Sequence, residues 1–314
     1  MKFLIPTNPH DTHAMLVKHA LEKRGHQVTL VFAAEESRRQ KNSVFIDVEQ
    51  CSWQNTDRFD AVLDNDYDVV WWRRDRKPHL PPTILRPDDF RFVVRENLLF
   101  YESVKFNMAP NAWWVNSKEA ANRANFKILQ LQIASDCGMS IPTTLCSSDS
   151  TEISSFFLNH ADEGVVCKPL CVDGKQSDPR PSGSAIDSET FSNRLISQLS
   201  PSIFQTEVKK KYGIRVTCFG DHLVASKLNS QEQTVIEPYA LSNDLTTKIR
   251  RFMHELGIVF GTFDFSVTPD DEYIFHEINE QGQFLWMEEQ NPKLRMLDIF
   301  VNFLENKSVD FHAM

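Results

Sequence analysis

The segment from Gly261 to Gln283, GTFDFSVTPDDEYIFHEINEQGQ, limits the possible folds of this chain more than any other. Thr262 to Thr268 and Tyr273 to Ile278 are β-branched and aromatic runs, and Pro269-Asp270-Asp271-Glu272 between them is turn chemistry. The pattern predicts a β-hairpin. Side chains alternate along a strand, so Asp264 is expected on one face with Thr262 and Ser266, and Glu277 on one with Phe275 and Asn279. A turn centred on Asp270-Asp271 sets Asp264 directly opposite Glu277, roughly 5 Å apart at Cβ, where like charges repel. One residue more or less in the turn makes that pairing diagonal. A cation between the carboxylates relieves the repulsion, and Asp, Glu and an Asn carbonyl without His or Cys suit Mg2+ rather than zinc. The plain alternative is a hairpin with a solvated acidic face.

With 314 residues, 41% hydrophobic and 25% charged, the composition is that of a globular protein of two or three lobes. A net charge of −9 argues against nucleic-acid binding as the main task. No apolar stretch approaches the ~18 residues of a membrane span. The start, MKFLIPTNPHDTH, lacks the apolar length of a signal peptide. Six cysteines without a CxxC pair fit buried thiols in a reduced, cytoplasmic protein.

The expected organisation is an α/β lobe over 1–115, a second lobe over 116–190 and a third over 191–314. Lys2 to Pro6, a helix from Thr12 to Arg24 stopped by Gly25, and Gln27 to Ala33 form a β-α-β unit, hence a parallel pair. Asp68 to Arg73 reads as a third strand, with Arg73 and Arg74 at its carboxyl end, where ligands of open sheets gather. Those arginines are candidates to hold an anion, or rim residues stacked on Trp71 and Trp72. A helix is expected from Asp88 to Lys105. Another is expected from Asn116 to Gly138, with Asn116-Ser117-Lys118-Glu119 as its capping box.

Two lysines bear on ligand chemistry. Lys168 is the only charge in the strand Gly164 to Leu170, and Lys127 opens an otherwise apolar helical stretch. A lone cation in an apolar strand needs an anionic partner, although either lysine alone also fits a snorkelling structural role. The loop Asp173 to Ala185, rich in small polar residues, offers backbone N–H groups that close over phosphates. Neither GxxxxGK[ST] nor GxGxxG occurs, so the joint reading is a nucleotide-triphosphate site outside those two classes. Ser202 to Val208 reads as a strand, and Gly213 to Phe219 with His222 to Leu228 as a hairpin carrying Arg215. Its guanidinium suits a phosphoryl or carboxylate group near the metals, or a structural ion pair.

The order helix lysine, strand lysine, loop, hinge strand, strand arginine, then D…E-x-N resembles the ATP-grasp superfamily, whose nucleotide lies between two α+β lobes. WWRRDRKP, WVNSKEAANRANFKILQLQIASDCGMSIPTT, FQTEV…IRVTCFGD and EINEQGQFLWMEE are similar to the graspetide (microviridin-type) peptide maturases over nearly the whole chain. That resemblance implies an α+β ATP-grasp fold preceded by an α/β pre-ATP-grasp lobe. It implies that Lys127 and Lys168 hold ATP phosphates, with Gln205, Glu207 and Val208 as the hinge facing adenine. Asp264, Glu277 and Asn279 would bind Mg2+, Arg215 would lie beside the transferred phosphoryl group, and Arg73 and Arg74 would approach the substrate carboxylate. The implied partners are a precursor peptide with leader and core, and a second copy in a homodimer. Three positions depart from the family pattern: Gly213 where an acidic residue often precedes the strand arginine, Thr206 in place of a frequent glutamate, and His276 where an aliphatic residue is usual.

The activity so implied is ADP-forming ligation of Asp or Glu side chains to Ser/Thr hydroxyls or Lys amines, giving macrocyclic esters or amides. An ATP-grasp ligase adding free amino acids to a small molecule or a protein tail is the alternative. A non-catalytic ATP-binding regulator is a third reading, against which the complete Lys/Lys/Arg/Asp/Glu/Asn set stands.

Overall fold

The computed structural model describes residues 1–8, 10–32, 41–56, 62–63, 65–73, 87–170, 201–229 and 235–307. The first lobe opens with β1 (Lys2–Pro6), α1 (Thr12–Lys23) and β2 (Gln27–Val31), and β1 and β2 pair in parallel as the β-α-β pattern predicts. Asp11 starts α1 by accepting the amide N–H groups of His13 and Ala14. β3 (Lys41–Ile46), β4 (Cys51–Thr56) and β5 (Val62–Leu63) form a small antiparallel sheet that no sequence signal announced. β6 (Val69–Trp71), the helix α2 (Pro87–Val104) and β7 (Trp113–Val115) then complete a four-stranded parallel sheet in the order β2-β1-β6-β7.

The single helix expected over 116–138 is two, α3 (Lys118–Ala124) and α4 (Lys127–Asp136), because Phe126 between them is extended. Ser117, not Asn116, caps α3, its hydroxyl accepting the Ala120 N–H at 3.2 Å. Asn116 instead bonds the backbone of Val259, Phe260 and Glu280. α4 docks on the C-terminal sheet through Gln130, whose amide donates to the Ile278 carbonyl at 3.0 Å and accepts the Ile278 N–H at 2.9 Å.

β8 (Thr144–Ser147), α5 (Ser150–Asn159), β9 (Val165–Lys168) and β10 (Ser202–Thr206) follow, the strands ordered β8-β10-β9 and antiparallel. The expected boundary at 190/191 and the loop from Asp173 to Ala185 lie outside the described residues. β11 (Tyr212–Phe219), β12 (His222–Asn229), β13 (Val235–Pro238), α6 (Asn243–Leu256), β14 (Phe260–Val267) and β15 (Tyr273–Asn279) build the largest sheet among the described residues, in the order β13-β12-β11-β14-β15. Two further helices end the described chain, α7 (Leu285–Gln290) and α8 (Met296–Asn306).

Two cores sandwich this five-stranded sheet. Phe263, Phe265, Phe275 and Ile278 on one face meet α4 and α6, whose Ile249, Phe252 and Met253 are fully buried. The other core joins the first lobe to the sheet: Phe300 of α8 lies 4.8 Å from Trp71 and 5.1 Å from Phe260 between ring centroids. The first lobe is thus fastened to the hairpin strands themselves.

Candidate active site

The hairpin β14–β15 sets Asp264 opposite Glu277, as its sequence predicts, but by a different route. Val267 pairs with Tyr273 and Phe265 with Phe275, so the turn is centred on Asp270 alone. Continued unbroken, that register would oppose Asp264 to His276. A β-bulge after Phe265 leaves His276 as the extra residue and brings Glu277 opposite Asp264. The bulge also breaks the strict alternation expected along β15. Phe275 and Ile278 enter the core, and Glu277 does not share a face with Phe275. His276 reaches back across the hairpin, its Nε2 lying 2.7 Å from the Ser266 hydroxyl.

A buried carboxyl opposite another acid resists ionisation, and Asp264 is in that position. Burial is the main cause that pushes the Asp264 carboxyl up to about 6; Arg215 pulls it down, and Glu277 adds to the rise. Arg215, opposite Asp264 on β11, approaches it with Nε at 3.5 Å and rests its guanidinium 5.7 Å from the Trp286 ring centroid. Trp286 was not singled out from sequence as a site residue, although it falls in the quoted run EINEQGQFLWMEE.

Both lysines converge on the same carboxylate. Lys127 Nζ, at the start of α4, lies 3.4 Å from Glu277 Oε2. Lys168, at the end of β9, is held below the usual lysine range chiefly by burial; Glu277 raises its pKa and Lys127 lowers it further. Burial, then Lys168 and Lys210, press the His276 imidazole down to about 4, so this side chain is neutral near neutral pH.

Across the gap, Lys168 pairs with Ile203 and Val166 with Gln205, so strand alternation puts Lys168 and Gln205 on one face. Gln205 donates to the Thr144 hydroxyl at 3.0 Å, while its side-chain carbonyl oxygen is buried without a hydrogen-bond partner. Thr206 alternates to the face of Phe204, which packs on Phe157 of α5. Glu207 is exposed, its N–H bonded to the Gly164 carbonyl at 3.0 Å, and Val208 is half-buried. Gly213 lies opposite Ser266, so the sheet carries no side chain where the family pattern often has an acid.

Asn279 closes the row, its side-chain oxygen accepting the Gln281 N–H at 2.9 Å. Beyond it Glu280 is buried. Burial raises its pKa, against hydrogen bonds from the side chains of Gln281 and Asn125. Arg73 is fully buried rather than presented to a ligand, its Nε 2.8 Å from Asp11 and its Nη1 donating to the Gln281 carbonyl. Its Cζ also stands 5.4 Å from the Trp71 ring centroid, as the stacking alternative expected. Arg74 lies outside the described residues.

Three positive groups, Lys127, Lys168 and Arg215, and two opposed carboxylates therefore meet between a three-stranded and a five-stranded sheet. Structural comparison shows what this arrangement is similar to. Macrocyclase MdnC bound with precursor peptide MdnA, from Microcystis aeruginosa MRC, superposes with a TM-score of 0.87 at 25% identity, covering 98% of this chain and 100% of that one. The chain has the ATP-grasp fold, in an arrangement similar to that of this macrocyclase.

A Chryseobacterium gregarium RiPP-associated ATP-grasp ligase, in complex with ADP and a leader and core peptide, gives 0.83 at 21% identity, covering 98% and 97% of the two chains. The ATP-grasp ligase PsnB, complexed with a phosphomimetic variant of minimal precursor, Mg and ADP, gives 0.74 at 17%, covering 97% and 98%. No protein-family model matches the chain, and no curated protein matches it by sequence. The ATP-grasp likeness is thus carried by three-dimensional structure over nearly the whole length.

Proposed function

We propose that this protein is an ATP-dependent, ADP-forming carboxylate ligase. It joins Asp or Glu side chains of a ribosomal precursor peptide, made of leader and core, to Ser/Thr hydroxyls or Lys amines. The observation that supports it most is the convergence of Lys127, Lys168 and Arg215 on the opposed pair Asp264 and Glu277. The residues fit the groups they would hold. A directly opposed pair of carboxylates, of which burial makes Asp264 resist ionisation, suits Mg2+, with the Asn279 carbonyl as a third hard oxygen. A desolvated Lys168 suits a phosphate, and the orphaned oxygen of Gln205 suits the amino group of adenine. Glu207 and Val208 continue that hinge.

ATP, when bound with Mg2+, supplies a γ-phosphoryl group to a carboxylate, whose own oxygen is a poor leaving group. The chain's residues position and neutralise. Lys127 and Lys168 spread positive charge along the phosphates. Arg215, beside the Trp286 ring, faces Asp264 and can balance charge on the transferred group. Arg74 remains a candidate for the substrate carboxylate. The same proposal takes the protein to be a cytoplasmic homodimer, on the strength of the resemblance and of the free thiols at Cys51, Cys137, Cys146, Cys167 and Cys218.

Incubation with ATP, Mg2+ and the peptide encoded beside its gene should remove one water per bond formed, with ADP and phosphate released. Hydroxylamine should trap the activated side chain as a hydroxamate. A mass gain from an added free amino acid would replace this reading with the amino-acid ligase, and AMP as product would overturn both.

The pH response follows from Asp264. The proton held up to about 6 must leave before a cation binds, so Mg2+ affinity in the presence of ADP should fall about tenfold per pH unit well below that value. The ligand-free fold behaves oppositely: holding that proton more tightly than the unfolded chain, it loses stability as pH rises from the ordinary aspartate range to about 6. Calorimetric titration across that range tests both signs; Mg2+ affinity independent of pH would remove Asp264 from the metal site.

A further inference from the structure

The first lobe grips the turn that follows the metal hairpin. Arg73 lies at the carboxyl end of β6, its N–H donating to the Pro6 carbonyl at 3.0 Å. Its side chain is 0% exposed and that of Asp11 is 2% exposed. Asp11 is fully engaged: one oxygen accepts the N–H groups of His13 (3.0 Å) and Ala14 (3.3 Å), and the other meets the Thr7 hydroxyl (3.0 Å) and Arg73 Nε (2.8 Å). The far side of the guanidinium donates to the carbonyls of Gln281, at 2.8 Å, and Gly282, at 3.4 Å.

Those carbonyls belong to a turn folded onto Asn279. The Gly282 N–H, in the same peptide unit as the Gln281 carbonyl, donates to the Asn279 carbonyl at 3.2 Å. The Gln281 N–H donates to the Asn279 side-chain oxygen at 2.9 Å. Nothing but glycine fits at 282, where φ is +46° and a Cβ would come 2.5 Å from Phe260 Cζ. The turn is therefore clamped between Phe260 on one side and Arg73 on the other. Two further contacts hold its ends: Asn116, just after β7, donates to the Glu280 carbonyl, and the Leu285 N–H donates to His13 Nε2 of the first lobe at 3.0 Å.

We infer that the Asp11–Arg73 pair is a positioning device for the metal site, acting through the Gln281–Gly282 turn to fix the side-chain oxygen of Asn279. The inference rests on the proposed function for what that oxygen holds. A buried ion pair is weak evidence for stability, since apolar residues of equal volume often serve as well. What Arg73 supplies is direction: a rigid planar group whose Nε faces one carboxylate while its Nη1 reaches two successive carbonyls, a two-sided geometry that a lysine ammonium does not fix. Arg73 thereby acts through Asn279 and need not touch the substrate. Partners behind metal ligands commonly set ligand orientation, and their loss costs about 10–100-fold in metal affinity.

The test uses the intact protein with Mn2+ as the probe cation in the presence of ADP, its binding followed by electron paramagnetic resonance and ADP binding by calorimetry. Arg73→Lys, which keeps the charge and loses the planar group, should weaken Mn2+ about tenfold while metal-free ADP binding changes little. Asp11→Asn, which keeps an oxygen to cap α1, should act in the same direction and serves if Arg73→Lys fails to fold. Phe303→Leu, in the core beneath the first lobe, should lower thermal stability and leave Mn2+ affinity unchanged. Wild-type Mn2+ affinity in both charge variants would overturn the inference and leave the ligase reading standing. An equal loss in Phe303→Leu would also overturn it, reducing the effect to instability. A wild-type protein that binds no ADP would overturn the ligase reading and the inference together.

Discussion

Glu277→Ala abolishes turnover and leaves the protein folded. The carboxylate stands opposite Asp264 and is the group on which Lys127 and Lys168 converge. Removing it relieves the repulsion that helps raise Asp264 and costs only a half-exposed ion pair with Lys127, so the melting temperature is expected to hold or rise. Activity is another matter, since charge neutralisation at the transferred group is lost with the cation. A drop of at least about 10²–10³-fold is expected, the scale seen when one preorganised electrostatic partner is removed. Asp264→Ala should behave alike. Mg2+-dependent turnover near the wild-type rate in either variant would sink the metal assignment.

Lys168→Met weakens nucleotide binding without weakening the fold. Charge-assisted hydrogen bonds are worth about 1.5–3 kcal/mol, so ADP affinity should fall about 10–100-fold. The sign for stability is set by the direction of the lysine's shift. Burial holds its folded-state pKa below that of the unfolded chain, so the unfolded chain takes up the proton more readily and the charge opposes folding at neutral pH. Methionine of similar length removes that cost and leaves Val166, Ile203 and Gln205 covered. Calorimetry with ADP and a thermal melt without ligand decide the matter. Unchanged affinity, or a large fall in melting temperature of the ligand-free protein, would return Lys168 to a structural role.

Much of the site was legible because it rides on strands whose residue types declare them. The hairpins β11–β12 and β14–β15, the parallel pair β1–β2 and the lysine strand β9 appear within one or two residues of where composition and turn chemistry put them. The opposition of Asp264 and Glu277 was reached through two irregularities that cancel, a turn centred on Asp270 and a bulge at His276. Alternation alone therefore misplaced Phe275. The unread parts have different reasons. Asn116 looks like a local cap, but its partners lie 144 and 164 residues away, and no sequence window spans such a pairing. Arg73 reads as a ligand residue because an arginine after an apolar strand is normally at a rim; only the fold reveals Asp11 beside it. By contrast, α6 carried a readable signal that went unused, with Leu245, Ile249, Phe252, Met253 and Leu256 all on its buried face.

The seat of α8 shapes how this protein is made. Phe3, Ile5, Val69 and Trp71 share one core with Phe300, Phe303 and Leu304, so these strands are sealed by a helix synthesised more than two hundred residues after them. At about 5–20 residues per second, the ribosome leaves that apolar face open for on the order of tens of seconds. During that interval α1 covers part of that face, and the place beside it that α8 takes is open. The first lobe is thus an early sequence but a late structure, and its grip on the hairpin β14–β15 is set only when α8 has emerged.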